Sequence, residues 1–360
     1  MTGEVQKTLH PPTPLLPDWP EYGLVDDVVP VLRSWQQAGK RAALATLVSI
    51  QGPSPRPLGS EMAISSSGEV VGYVSGGCVE GAVATEALNV LQTRKPQLLD
   101  YGAGSPVMDL QLACGGRIGI YVRELHDIAA YTQAHETAAR DRLQLVVRTD
   151  LGNGRMSWKA LPHPEAAELA PHPSSGRSPS STTPFLRFVP PPLRLVLVGG
   201  DPITLALAKL APFFGLQVHL LRPHGPSHPP AFLAAHSYDR RPLSQSLAEL
   251  APDPWTAVYS LSHDAETDHS VTCQALASNA FCIGLLGSKS RIPARMERLR
   301  HEGFSPAQLA RLHLPAGLPL ASRTPSGIAL SILAEVLQYA PVFQAGYAPD
   351  SSDPSDVKAP

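Results

Sequence analysis

Hydrophobic and polar positions follow regular periods in two stretches of the chain, separated by one with no period. In the first stretch, apolar residues recur at helical spacing over 25–37, with Asp26 and Asp27 in the predicted first turn, where the helix dipole favours them, and Pro30 near the start. Residues 42–50 are predominantly apolar and predict a buried strand. Residues 61–65 and 70–74 predict a hairpin around Ser66-Ser67-Gly68. Helical spacing returns over 78–93, and 116–122 reads as a further strand. The second stretch opens with an apolar strand over 193–200 that ends in glycines. A helix over 204–214 and a strand over 217–221 complete a β-turn-α-β unit of the mononucleotide-binding kind. Further strands follow at 255–261 and 281–286, and an amphipathic helix at 328–337 closes the pattern. The expected fold is α/β: an N-terminal α+β domain followed by a C-terminal Rossmann-like doubly wound parallel sheet.

Proline use sharpens these borders. The chain has 360 residues and 38 prolines, of which nine fall in 162–192, five in 1–20 and four in 341–360. The expected organisation is therefore a Pro-rich disordered tail (1–21), a first domain (22–161), a Pro/Ser-rich linker (162–191), a second domain (192–340) and a disordered tail (341–360). No internal repeat is present.

Charge narrows the function. Charged residues make up 17%, against roughly 25% in an ordinary soluble domain. No apolar run reaches the roughly 18–20 residues that a spanning helix needs. The net charge of −2 offers no electrostatic footprint for nucleic acid or for an anionic membrane. The segment MTGEVQKTLHPP lacks the apolar core of a secretion signal, so the four cysteines are expected reduced, in the cytoplasm.

The densest chemistry is in the first domain. Arg56 sits among Pro53, Pro55 and Pro57, a stiffened loop from which a guanidinium can hold a phosphate. Ser75, Gly76, Gly77 and Cys78 precede a predicted helix, where glycine lets backbone amides approach an anion and the dipole favours a thiolate. Cys114, Gly115 and Gly116 repeat the pattern, with Arg117 beside them. The plainer alternative for each is a tight glycine turn with an inert cysteine. Two such elements in one domain favour a shared pocket for an anionic ligand bearing sulfur or metal. No Cys-x-x-Cys and no histidine pair at ligand spacing points to zinc there. Cys273 and Cys282 are read as structural.

In the second domain the dinucleotide turn departs from G-x-G-x-x-G. Gly199-Gly200-Asp201 puts a carboxylate where pyrophosphate would lie, and Arg222 ends the second strand where a ribose-binding acid is expected. NAD(P) binding is therefore not expected. His263 and Asp264 follow a strand end, the ligand-facing edge of such a sheet, and read equally as ligand contacts or as a helix start. Gly284 to Lys289 is a second candidate phosphate loop, with an ordinary βα loop as its alternative.

Taken together, GPSPRPLGSEM (52–62), SGGCVEG (75–81), CGGR (114–117), SHDAETD (262–268), CIGLLGSKSRIPARMERLR (282–300) and LPAGLPLASRTPSGIALSILAEVL (314–337) resemble the XdhC/CoxI family, accessory proteins of molybdenum hydroxylases such as xanthine dehydrogenase. The resemblance covers about 25–125 and 192–337. It implies a non-enzymatic chaperone that transiently binds molybdenum cofactor (molybdopterin), supports its sulfuration by a cysteine desulfurase and delivers it to the apo-hydroxylase. It also implies a homodimer. The implied cofactor-binding residues are Arg56, Ser75, Gly76, Gly77, Cys78, Cys114, Gly115, Gly116, His263 and Asp264. The only metal contact expected is to molybdenum, through Cys78 or Cys114. The turn at Gly199-Gly200-Asp201, Arg222, Ala316 and Pro319 depart from the family pattern. Two other readings are an NAD(P)-dependent Rossmann oxidoreductase, from the β-turn-α-β unit, and a non-catalytic interaction adaptor, from the Pro-rich segments.

Overall fold

The computed structural model describes residue 14 and residues 16–105, 112–169, 184–233, 237–287, 289–341 and 345–347. The chain divides into two compact units, 1–191 with 343–360, and 192–342.

Unit 1 begins with a short 3-10 helix (Glu21–Leu24) and helix α1 (Val29–Gln37). Helix α1 starts later than the periodicity suggests, because Asp27 stands ahead of it and accepts the Val29 amide. Strands β1 (Ala42–Gln51), β2 (Glu61–Ser65) and β3 (Val70–Gly72) follow, then helix α2 (Glu80–Thr93) and strands β4 (Gln97–Gly102) and β5 (Arg117–Glu124). These five strands form one antiparallel sheet in the order β3-β2-β1-β5-β4. Strand alternation explains why β1 is mostly apolar, with apolar residues on both faces. Ala43, Ala45 and Leu47 pack with Val83, Ala87 and Leu91 of α2, while Ala42 and Leu44 pack with Leu32 and Trp35 of α1. Both faces of β1 are covered, so no polar face is needed.

The unit continues through helix α3 (Ile128–Arg140), strands β6 (Gln144–Thr149) and β7 (Met156–Leu161), helix α4 (His163–Glu168) and strand β8 (Phe185–Val189). Strands β7, β6 and β8 and the two-residue strand Gly346–Tyr347 make a second antiparallel sheet. This corrects the expected linker and tail. Both described ends of 162–191 are ordered elements of unit 1, and part of 341–360 pairs with β8. Residues 170–183, 1–13 and 348–360, also read as linker or tail, lie outside the described residues. Proline content hid β8 because its prolines flank the strand rather than interrupt it: Phe185, Leu186 and Phe188 are buried between Pro184 and Pro190.

Unit 2 runs β9 (Arg194–Gly199), α5 (Pro202–Leu210), β10 (Gln217–Leu221), β11 (Ser237–Asp239), α6 (Leu243–Leu250), β12 (Thr256–Leu261), α7 (Ala265–Ala277), β13 (Cys282–Leu285), α8 (Ile292–His301), α9 (Pro306–Leu309), β14 (Leu312–His313) and α10 (Pro325–Tyr339). All six strands are parallel, in the order β11-β10-β9-β12-β13-β14. That is the doubly wound Rossmann order, which reverses between β9 and β12. Leu195 and Leu197 face α5 and α10, while Val196 and Val198 face α6 and α7. A parallel sheet sandwiched in this way needs strands that are apolar on both faces.

Candidate functional site

Three loops of unit 1 carry the candidate residues, and the structure brings them to one place. The loop that follows β1, Gly52 to Gly59, lies between the other two. On one side, the Cys114 thiol donates to the Pro53 carbonyl at 3.3 Å. On the same side, a Cβ added at Gly116 would stand 2.2 Å from that carbonyl oxygen, so only glycine lets these backbones approach so closely. On the other side, Gly76 packs against Pro55, whose Cγ is 3.2 Å from the position of an added Cβ. Cys78 and Cys114 are free thiols, and both are exposed, as are Gly76, Gly77 and Gly115.

Cys78 is not inside a helix. Helix α2 starts at Glu80, two residues later, because Gly77 adopts φ +96° and Val79 is the helix cap. Ser75 is buried, and its hydroxyl oxygen accepts the Cys78 amide at 3.1 Å. The buried Glu80 carboxylate accepts the Ser75 amide (2.8 Å), the Ser75 hydroxyl (2.7 Å) and the Val74 and Val79 amides (both 3.2 Å). The helix N-terminus that was expected to receive a ligand anion thus already holds one of the protein's own. Sequence reasoning missed Glu80 as a positioning residue. The signal was present only in part: an acid at the start of a predicted helix is favoured by the helix dipole, but its bonds back to Ser75 follow no local capping pattern.

Arg56 is held as well. Its guanidinium pairs with Asp26 (2.7 Å) and lies 4.3 Å from the centre of the Tyr73 ring. Its Nε is buried without a partner among the described residues. Arg117 is bound to Asp100, with Nε to Oδ1 at 2.8 Å.

The candidates of unit 2 form a separate set. Asp201 caps α5, accepting the Thr204 amide and hydroxyl at 2.8 and 2.5 Å, and His263 Nε2 lies 3.0 Å from its other oxygen. Burial alone would raise the Asp201 pKa, but the bonds from Thr204 and His263 hold it below the usual carboxylate range. His263 adopts φ +61°, a left-handed conformation uncommon outside glycine, at the sheet edge where strand order reverses. Asp264 is a helix cap: its side chain accepts the Thr267 amide at 2.8 Å at the head of α7. Gly200 is overlaid by Arg222, whose Nε would be 2.6 Å from an added Cβ. Arg222 lines a cavity of about 270 Å³ with Gly200, Leu205, Pro226 and Tyr238.

Cys273 and Cys282, read as structural, each stand among titratable groups. Cys273 lies near His269 and Glu302. Cys282, in the core, meets the Tyr259 hydroxyl at 3.1 Å, and that hydroxyl donates to Glu335 at 2.7 Å. Glu335 is 3.4 Å from His313. The His269–Cys273 spacing of four on a helix was legible; the Cys282 cluster joins distant strands and was not.

Two family models match the chain, "XdhC and CoxI family" over residues 35–102 and "XdhC Rossmann domain" over residues 195–336. The chain is 32% identical over 316 residues to the molybdenum cofactor insertion chaperone PaoD of Escherichia coli K12, covering 87% of this chain and 89% of that protein. It is 25% identical over 330 residues to a probable xanthine dehydrogenase subunit of Bacillus subtilis 168, covering 83% of this chain and 93% of that protein. A crystal structure from Bacillus halodurans, described as a xanthine dehydrogenase, shares the fold with a TM-score of 0.68 at 20% identity, covering 86% of this chain and 95% of that one. By these matches, and by the order of its motifs in a fold of this kind, the chain belongs to the XdhC and CoxI family.

Proposed function

We propose that the protein is a maturation factor for a molybdenum hydroxylase of the xanthine dehydrogenase kind. In this role it transiently binds molybdenum cofactor, supports its sulfuration by a cysteine desulfurase and hands it to the apo-enzyme, in the cytoplasm and as a homodimer, without catalysing turnover itself. The observation that carries this reading is the convergence of the Cys78 and Cys114 loops on the loop of Pro53 and Pro55, with both thiols exposed. Thiolates suit a soft, sulfur-bearing metal centre. The name of the Escherichia coli relative supports the same role.

To test it, the protein is isolated from cells that make the cofactor and its bound pterin is measured by fluorescence after oxidation. Wild type is expected to carry pterin, and Cys78→Ala or Cys114→Ala to lose most of it. Equal, background-level pterin in all three would sink the proposal.

The nicotinamide reading is not favoured. The Asp201 carboxylate and the overlying Arg222 side chain occupy the turn where a pyrophosphate would sit. Titration with NAD(H) or NADP(H) is expected to give no heat of binding.

A further inference from the structure

We propose that His269, Cys273 and Glu302 form a binding site for a divalent transition-metal ion of borderline softness, of the zinc, cobalt or nickel kind. The site lies in unit 2 and shares no residue with the proposed cofactor-handling loops of unit 1.

His269 and Cys273 are four residues apart on α7 and so project from one face of that helix. Glu302 is the C-cap residue just after α8 and brings a carboxylate to the same face. His269 Nε2 lies 2.8 Å from one Glu302 oxygen, and Cys273 Sγ lies 3.2 Å from the other and 3.5 Å from His269 Nε2. One donor atom from each side chain falls within 4.8 Å of the other two. Bonds of about 2.0–2.3 Å in a tetrahedral zinc site put donors about 3.5 Å apart. The three side chains therefore reach that arrangement with small rotations and no backbone movement.

The donor set selects the ion. One nitrogen, one sulfur and one carboxylate suit zinc and its neighbours, whereas calcium and magnesium want oxygen alone. The side chains of His269 and Glu302 are 16% and 37% exposed, which gives an ion an entry path and leaves a fourth position for water. Arg298 stands 3.5 Å from Glu302 and is itself held by both oxygens of Glu266. Arg298 thereby orients the carboxylate, as the outer partners of metal ligands commonly do. On binding, the thiol proton that Cys273 gives to Glu302 leaves to solvent and a metal–sulfur bond forms, with no change of oxidation state. The ion would clip α7 to the end of α8 across 33 residues of chain, so its binding stabilises unit 2.

The other cluster of this type among the described residues, Cys282, His313 and Glu335, is closed within the core, where Tyr259 already binds Glu335. It serves as the internal control.

The test is a titration of the chelator-treated, full-length protein with Co²⁺. Wild type is expected to bind one ion per chain, with a near-ultraviolet thiolate-to-cobalt charge-transfer band. Cys273→Ser is expected to lose that band, and His269→Ala to bind at least tenfold more weakly. Cys282→Ser and a Cys78→Ala/Cys114→Ala double variant are expected to keep both band and stoichiometry. Added Zn²⁺ is expected to raise the melting temperature of wild type and not of Glu302→Gln. The Zn²⁺ shift decides the matter if Cys273→Ser does not fold. A wild type without the band, or a band that survives in a folded Cys273→Ser, overturns the proposal. So does a Zn²⁺ shift that Glu302→Gln retains.

Discussion

Ser75 and Glu80 are joined twice, by the Ser75 amide donating to Oε1 across 2.8 Å and the Ser75 hydroxyl donating to Oε2 across 2.7 Å. Since the Ser75 hydroxyl oxygen also receives the Cys78 amide, the buried carboxylate sets the shape of the loop that presents the thiol. Glu80→Ala would leave the buried Val74 and Ser75 amides without an acceptor. A loss of about 3 kcal/mol is expected from unpaired donors of this kind. Chemical denaturation measures it, and Glu80→Gln, which keeps an acceptor oxygen, is expected to lose less. If the loop acts as proposed, the folded Glu80→Gln variant also carries less pterin than wild type while keeping its Cys78 thiol.

Gly115 and Gly116 are adjacent yet should respond differently to alanine. Gly115 has φ +74° but open space around its missing Cβ, so Gly115→Ala costs about 1 kcal/mol of backbone strain. Gly116→Ala drives a methyl to 2.2 Å from the Pro53 oxygen and must part the two loops. A larger stability loss and loss of bound pterin are expected for Gly116→Ala, with pterin largely kept in Gly115→Ala. Equal retention would show that the contact between the loops does not matter for the cargo.

Arg187, on β8, ties the segment read as linker to the first sheet. Its side chain, 19% exposed, pairs at 3.1 Å with Glu61, which is 4% exposed, and Arg187 Nε donates to the Gly59 carbonyl at 2.9 Å. Arg187→Ala strands a buried carboxylate, and a loss of about 3–5 kcal/mol is expected by denaturant melting. A fragment ending at 161, the border that composition suggests, omits β8 and is expected to melt well below the fragment ending at 191.

His313 links unit 2 stability to pH. Burial alone would lower its pKa, but bonding to Cys282 and Glu335 pushes it up to about 10, and the same pair holds Glu335 below the usual range. A histidine raised on folding stabilises fully below its unfolded value of about 6.5. That contribution fades as pH rises and is gone above about 10. Melting temperature followed from neutral to alkaline pH is expected to fall more steeply for wild type than for His313→Gln. Parallel curves would show that the pair carries no linkage.

Much of the architecture was legible locally. Apolar runs such as 194–199 and 256–261 are strands because both faces are covered, and Gly199 ends β9 at the turn that the glycines predict. Asp201, read as a bar to pyrophosphate, is a helix cap, a role that its place before Pro202 and Thr204 also announced. The place of β8 was not legible, because it pairs with β6 across the Pro-rich segment, Leu145 to Thr149 running against Val189 to Phe185.

The sequence by itself determined the α/β pattern and the motifs that carry the family likeness, since each depends on local period and order. Tertiary structure alone decided which polar groups remain for a partner. Arg56 is bound by Asp26, the head of α2 by Glu80 and Asp264 by its own helix, while Cys78 and Cys114 stay exposed beside the loop that joins them. A residue type shows what chemistry is available, but whether that chemistry is already satisfied depends on neighbours distant in sequence. Arg56 and Asp26 lie 30 positions apart and Cys114 and Pro53 lie 61 apart, and only the folded chain brings them together.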